Sequence, residues 1–394
     1  MLPLFVVLAG CAAASEVIAR AVGAPGPFWA LFSNDKFVLC TVCSVFLIHL
    51  LSARDGRERM LLLGIGLAML AIAVATRPTF FRNQWNCAAW ALALASVMTH
   101  GIMWYTRRSS FREAVTMMVC CWLLVAANAN SMFAIHVSER FNPVFDPLLF
   151  NFEEGLGIRV ASLAALTVAI PGVERLLYWI YYTLPVFMAP YFIFQKTARS
   201  SLPLLFVVSG PLGYLLYWLY PVVGPGEMYP SYYQSVWPVD DHAGLGGGAV
   251  YFAAAVSRAT MPSFHMVWAC FVLWNRHHFP QPVRWIFVAY AGVTVLAALV
   301  IGKHWFIDLV VALPVAAAMQ VLFDREGARL RPVLLGAGML ALWLIVLRDP
   351  WFTAASPGWL RWLAIVATIG GTALVLSPAR ASSQGHVAEQ TASD

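Results

Sequence analysis

The chain has 394 residues, 61% of them hydrophobic and 11% charged, with a mean hydropathy of +0.73. Soluble domains carry about a quarter charged residues, so an ordinary globular protein is excluded. The formal net charge is +6, but the basic residues fall between apolar runs and no DNA- or RNA-reading motif accompanies them. Membrane topology therefore accounts for the charge, and nucleic acid is not expected as a partner.

Lipid obliges the backbone to satisfy its own hydrogen bonds within helices or closed barrels, and apolar runs of about 20 residues favour helices. The fold class predicted is all-α, a polytopic helical membrane protein with about twelve spans. They run roughly over 2–20, 36–52, 60–76, 86–105, 114–135, 174–195, 202–221, 263–279, 285–302, 304–323, 332–347 and 360–377. Met1 to Cys11 has the look of a signal segment, and Leu8-Ala9-Gly10-Cys11 the form of a lipoprotein cleavage box. No Lys or Arg precedes the apolar stretch, however, so it is read as a first membrane helix.

Short loops alternate in charge along this order. Arg54, Arg57 and Arg59 share one side with Arg107, Arg108 and Arg112, and then with Lys196 and Arg199. Arg276 and Arg284, and finally Arg325, Arg329 and Arg331, fall on that side too. The positive-inside rule places these loops and both termini in the cytoplasm. Two longer loops, about 136–173 and 222–262, then lie outside. The first holds Asp146, Glu153 and Glu154, followed by a short apolar stretch, Ile158 to Ile170, that suits an interfacial helix. The second carries Tyr229, Tyr232, Tyr233 and Trp237, then Gly244 and Gly246 to Gly248, a composition that fits a headgroup-level belt and a flexible loop or lid.

The seven cysteines all lie in apolar runs. Cys40 and Cys43 have CxxC spacing without a partner pair, so packing is the expected role. His49, His100 and His136 have no partner spacing and receive no role. His277 and His278 fall on the cytoplasmic side. Asp240-Asp241-His242 reads as a solvated acidic run. Asn128, Asn130 and Glu16 read as interhelical hydrogen-bonding groups.

Two pieces stand apart: Pro262-Ser263-Phe264-His265 and His304-Trp305-Phe306-Ile307-Asp308. His304 and Asp308 are four residues apart and so share one face of a helix. A carboxylate there holds the imidazole in one tautomer and raises its basicity, and His265 supplies an acid. By the span order, both histidines start helices descending from the outer side.

At these residues the chain resembles the type 2 phosphatidic acid phosphatase superfamily. More narrowly it resembles the inositol phosphorylceramide synthase branch (an inositolphosphotransferase), with sphingomyelin synthases as more distant relatives. The superfamily's Pro-Ser-Gly-His is matched by Pro262 to His265, with Phe264 in the Gly position as in the transferase-like branch. Its His-x-x-x-Asp is matched by His304 and Asp308. Met266 to Ala269, Tyr220 to Pro225 and Phe145 to Leu149 extend the resemblance over roughly 140–325. The superfamily's Lys and Arg-Pro motif is not found in place, and Ala297-Ala298 stands where Ser-Arg is usual.

The resemblance implies a six-helix phosphatase-like catalytic core at 136–325. That core would follow N-terminal helices at 1–135 and precede two helices at 326–378 and a disordered tail at 379–394. It implies phosphoryl or phospho-headgroup transfer at the extracytoplasmic face, through a phosphohistidine on His304 oriented by Asp308. His265 protonates the leaving oxygen. Ser263, Arg258 and Lys303 bind phosphate, and no metal or other cofactor is required. The partners implied are a phospholipid or lipid phosphate donor, a lipid or polyol acceptor, and the bilayer itself. Abundant Ala and Trp with Arg preferred to Lys suggests a bacterial inner (plasma) membrane. A lipid phosphatase using water as acceptor needs the same residues. A transporter or scaffold is the non-enzymatic alternative.

Overall fold

The structure is a computed structural model. It describes residues 2–21, 26–27, 36–76, 84–122, 125–126, 143–158, 160, 164–165, 170–184, 186, 202–229, 258, 260–323 and 329–393. Among these the regular structure is helical, without a strand. In chain order the helices are α1 (Leu2–Ala21), α2 (Lys36–Ser52), α3 (Gly56–Thr76), α4 (Gln84–Tyr105), α5 (Asp146–Leu156), α6 (Val173–Tyr182) and α7 (Leu202–Leu219). They continue with α8 (Pro225–Met228), α9 (Phe264–Trp274), α10 (Val283–Val300), α11 (Phe306–Leu322), α12 (Leu330–Val346) and α13 (Gly358–Ser393).

Among the described residues four stretches are long and apolar enough to cross a bilayer: Gly56–Thr76, Trp85–Tyr105, Val283–Val300 and Gly358–Ser377. Five more predicted spans, including 263–279 and 304–323, appear as apolar helices of 10–17 residues. Some stop early for local reasons. Asn275 ends α9 by donating its side-chain amide to Phe271 O at 2.9 Å and to Gln320 Oε1 at 3.0 Å. The predicted spans 114–135 and 174–195 run partly outside the described residues, and Asn128, Asn130, His136 and Asp240 to His242 lie wholly outside them. The polar tail expected to be disordered is a helical continuation of α13 as far as Ser393.

The chain divides into two compact units. The first comprises Met1–Val137, Tyr182–Lys196 and Phe206–Leu212. In it α4 packs against both α2 and α3. Gly66 lets Phe46 approach α3, since a Cβ there would lie 3.0 Å from that ring. Leu67 and Val74 point outward, as suits a helix bathed in lipid.

The second unit comprises Ser138–Tyr181, Thr197–Leu205 and Gly213–Asp394. Its centre is α11, against which α9, α12 and α13 pack. Ala312, Ala316 and Ala317 are fully buried on α11, and small residues of this kind let helices approach closely where no hydrophobic effect drives them together. Gly336 of α12 sits where a Cβ would come within 2.8 Å of Ala318 Cβ.

Below α11 lies a cluster built from Leu149, Phe152, Tyr220, Val222, Trp305, Ile307, Trp343 and Ile365. The short α5 is its floor. Pro147 in the first turn and Gly157 in the left-handed conformation (φ 71°) set its two ends. Arg361 of α13 locks the far end of α5 by donating from Nη1 to Asn151 O and Phe152 O at 2.8 and 2.9 Å.

Candidate active site

The site begins where α10 stops. Gly302 takes φ 69°, and Gly302 N and Lys303 N bond back to Leu299 O and Ala298 O at 3.0 and 3.2 Å. Only a residue without a Cβ takes that left-handed turn cheaply. The chain then restarts as α11, with the Asp308 carboxylate accepting from Trp305 N at 2.9 Å. His304 is thus held on a tight turn between two helices.

Two buried carboxylates of α5 support this turn from below. Asp146 accepts from Val223 N and Gly224 N, each at 2.9 Å, and from the indole Nε1 of Trp305 at 3.0 Å. Glu153 accepts from Ile307 N at 3.1 Å. The loop so gripped packs closely on the turn: Gly226 N donates to Gly302 O at 2.8 Å, and a Cβ on Gly224 (φ 104°) would sit 2.7 Å from Lys303 O. Neither carboxylate had an assigned role in the sequence; both are scaffold for the His304 turn.

The second motif is tied to the first by the backbone. Ser263 N donates to Asp308 O at 3.1 Å, which brings the start of α9 to the first turn of α11. Ser263 is the N-cap of α9, its Oγ accepting from Met266 N at 3.3 Å. Phe264 turns away from the site and packs against α7. Its ring lies edge-on to Tyr217, over Gly213, where a Cβ would come within 2.8 Å of it. His265 then faces His304, with ring centroids 5.8 Å apart.

The hydrogen bonds around His304 determine its tautomer. Nδ1 lies 3.0 Å from Thr260 O and 3.4 Å from Asp308 Oδ2. A backbone carbonyl only accepts, so Nδ1 carries the proton. Nε2 therefore holds a lone pair, which accepts from the Tyr181 hydroxyl at 3.2 Å. The Tyr181 ring also stacks on His265, at 3.7 Å and 20°. Nε2 thus meets the Tyr181 hydroxyl, and the His265 ring is centred 5.8 Å from that of His304.

The remaining predicted binders sit differently. Lys303 forms an ion pair with Glu227. Arg258 is buried, 3% exposed. His277 is exposed beyond Trp274, at the opposite end of α9 from Ser263. Tyr181 and the Thr260 carbonyl are additions that no sequence pattern announced. Tyr181 belongs to an aromatic run, Tyr178 to Tyr182, that reads as an interfacial belt.

Glu153 has a measurable consequence. Burial raises its pKa to about 8 in the folded protein, against 4.5 for a free glutamate. From about pH 4.5 to about pH 8 the folded state keeps a proton that the unfolded state has lost, so stability falls as pH rises. The slope is at most about 1.4 kcal/mol per pH unit. Glu153→Gln, which keeps an oxygen for Ile307 N, should flatten that fall when Tm is followed in detergent from pH 5 to 8. An unchanged slope would exclude Glu153 as its source.

A carboxylate-backed imidazole whose Nε2 meets a tyrosine hydroxyl, with a second imidazole 5.8 Å away centre to centre, can serve as a nucleophile with an acid–base partner. A family model described as the PAP2 superfamily matches residues 147–322, from the first turn of α5 to the end of α11. The matched segment thus contains both histidines, Asp308 and the α5 scaffold. No curated protein and no solved structure matches the chain.

Proposed function

We propose that the chain is a membrane phosphotransferase acting on a lipid phosphate or phospho-headgroup. The reading rests on the geometry of His304: protonated at Nδ1 beside Asp308, with its Nε2 lone pair met by the Tyr181 hydroxyl and the His265 ring 5.8 Å away centre to centre. Nε2 attacks phosphorus, the P–O bond to the leaving group breaks, and His265 protonates the departing oxygen. The phosphorylated ring is positively charged, and Asp308 stabilises that charge. His265 then takes the proton of the acceptor hydroxyl, whose oxygen attacks the phosphohistidine and releases His304. Ser263 Oγ accepts from Met266 N, so its own proton is the one directed to a phosphate oxygen. Arg258 and Lys303 supply positive charge, and the entering phosphate competes with Glu227 for Lys303.

Transfer to an alcohol, as in inositol phosphorylceramide synthases, is favoured over hydrolysis by Phe264 in place of the small residue of phosphatases. The polytopic helices agree with lipid substrates, and we place the reaction at the extracytoplasmic face of a bacterial inner membrane. The test uses purified protein in vesicles with phosphate-labelled lipid donors and candidate acceptors. Label in a new lipid supports transfer. Label only in free phosphate rejects it in favour of a lipid phosphatase using the same residues.

Tyr181 is a positioning residue in this scheme. Its hydroxyl holds the Nε2 lone pair of His304 until phosphate displaces it, and its ring fixes His265. Tyr181→Phe keeps the stack and removes the bond, so kcat should fall by about 3- to 30-fold with KM little changed. An equal kcat for the variant would show that the hydroxyl is dispensable.

A further inference from the structure

The first unit contains a cluster that the proposed transfer chemistry does not use. His49 near the end of α2, Glu58 in the first turn of α3 and His100 in α4 are all buried, at 0%, 4% and 5% exposure. Each offers one ligand atom, and these atoms lie within 4.8 Å of one another. We propose that this is a binding site for a divalent first-row transition metal, Zn2+ being the best fit.

The donor set argues for the metal class. Two imidazoles and one carboxylate form a tridentate set with room for a fourth ligand, as zinc accepts. Magnesium and calcium prefer oxygen throughout. His49 Nε2 and Glu58 Oε1 are 3.3 Å apart, about the spacing of two ligands on one tetrahedral ion with bonds of about 2.0–2.2 Å. His100, whose ring lies parallel to that of His49, joins them by turning out of the stack so that its in-plane lone pair meets the same ion. Cys121, fully buried, borders the cluster through Ser96 and Glu58.

The surroundings are those of a prepared site. His49 Nδ1 lies 2.8 Å from Ser96 Oγ, a partner able to fix the ring and its tautomer while Nε2 turns to Glu58. The other Glu58 oxygen accepts from Arg54 N at 2.9 Å, and Glu58 N donates to Asp55 Oδ1 at 2.8 Å, so the carboxylate is anchored. The His49 and His100 rings stack at 3.8 Å and 8°. His100 Nε2 is buried and makes no hydrogen bond. A buried imidazole nitrogen left in that state is costly, and a metal ion would satisfy it. Without the ion, His49 Nε2 faces the Glu58 carboxylate, which only accepts, and so carries the ring proton; on binding that proton moves to Nδ1, donated to Ser96, and both Nε2 lone pairs meet the ion, so the ring keeps its proton count. The ion would clasp α2, α3 and α4 at one point.

The test uses the full chain in detergent, stripped with a chelator and reloaded with Zn2+ or Co2+ alone. Wild-type protein should bind about one equivalent per chain, with Co2+ giving the visible bands of a tetrahedral site, and its Tm should rise by several degrees. His100→Gln removes a ring that now makes no Nε2 bond, so the variant should fold and elute normally yet lose metal and bands at least tenfold. His49→Gln should do the same. His304→Ala should still take up the equivalent, which separates this site from the transfer site. Wild-type protein without a stoichiometric ion, or His100→Gln and His49→Gln both binding as wild type, would overturn the site and leave a buried His–Glu pair that only staples helices.

Discussion

Replacing His304 by alanine is expected to abolish turnover, with kcat/KM falling by at least about 10^4-fold. The reason is that Nε2 is the one nucleophile in the scheme. The side chain is buried, and its loss removes the bonds to Tyr181 Oη and Thr260 O. A folding check therefore accompanies the assay: unchanged elution and a Tm within a few degrees of wild type. His304→Gln, which keeps volume and a donor, guards against collapse of the turn. The decisive measurement is acid-labile, base-stable label trapped from a phosphate-labelled lipid. Label should reside on His304 in wild type and vanish in both variants. Label on another residue, or more than about a tenth of the activity remaining, would remove His304 from its assigned role.

Asp308→Asn is the second large effect, and it isolates charge from geometry. A single oxygen, Oδ2, accepts from Trp305 N at 2.9 Å and lies 3.4 Å from His304 Nδ1. An asparagine oxygen can occupy that place, keeping the start of α11 and the tautomer of His304. What is lost is the negative charge facing an imidazolium that forms only during reaction. The expected result is a fall in kcat of about 10^2- to 10^3-fold with KM little changed, because the interaction belongs to the transition state and intermediate. Unaltered kcat would mean that Asp308 is a helix cap and nothing more. A rise in KM alone would assign it to ground-state binding.

How much of this was legible in the chain depends on range. The two motifs were visible because the spacing of His304 and Asp308 is local and helix geometry converts it into a shared face. The family match over 147–322 contains both motifs and falls within the 140–325 over which the resemblance extends. The gripping of the His304 turn by Asp146 and Glu153 was not legible. Those carboxylates lie about 150 residues from Trp305 and Ile307 in the chain, in a stretch that reads as a solvated outer loop. Nothing local marks these acids as buried, whereas in the fold backbone and indole N–H groups satisfy them in the core. Lys303 read as a free cation because Glu227, in α8, lies 76 residues away in the chain. His49 and His100 lacked partner spacing for the same reason: they sit on different helices that only packing brings together.

Composition alone determined that this is a helical, lipid-embedded type of chain, since so few charges and such long apolar runs have no other physical solution. Local order marked out the candidate residues, because caps, turns and i,i+4 pairs act within one helical turn. Only the tertiary structure decided which nitrogen of His304 is protonated, which side chain covers its lone pair, and which carboxylates hold its turn. Those depend on hydrogen bonds between segments far apart in sequence, and such bonds form only when helices pack and bury the groups together.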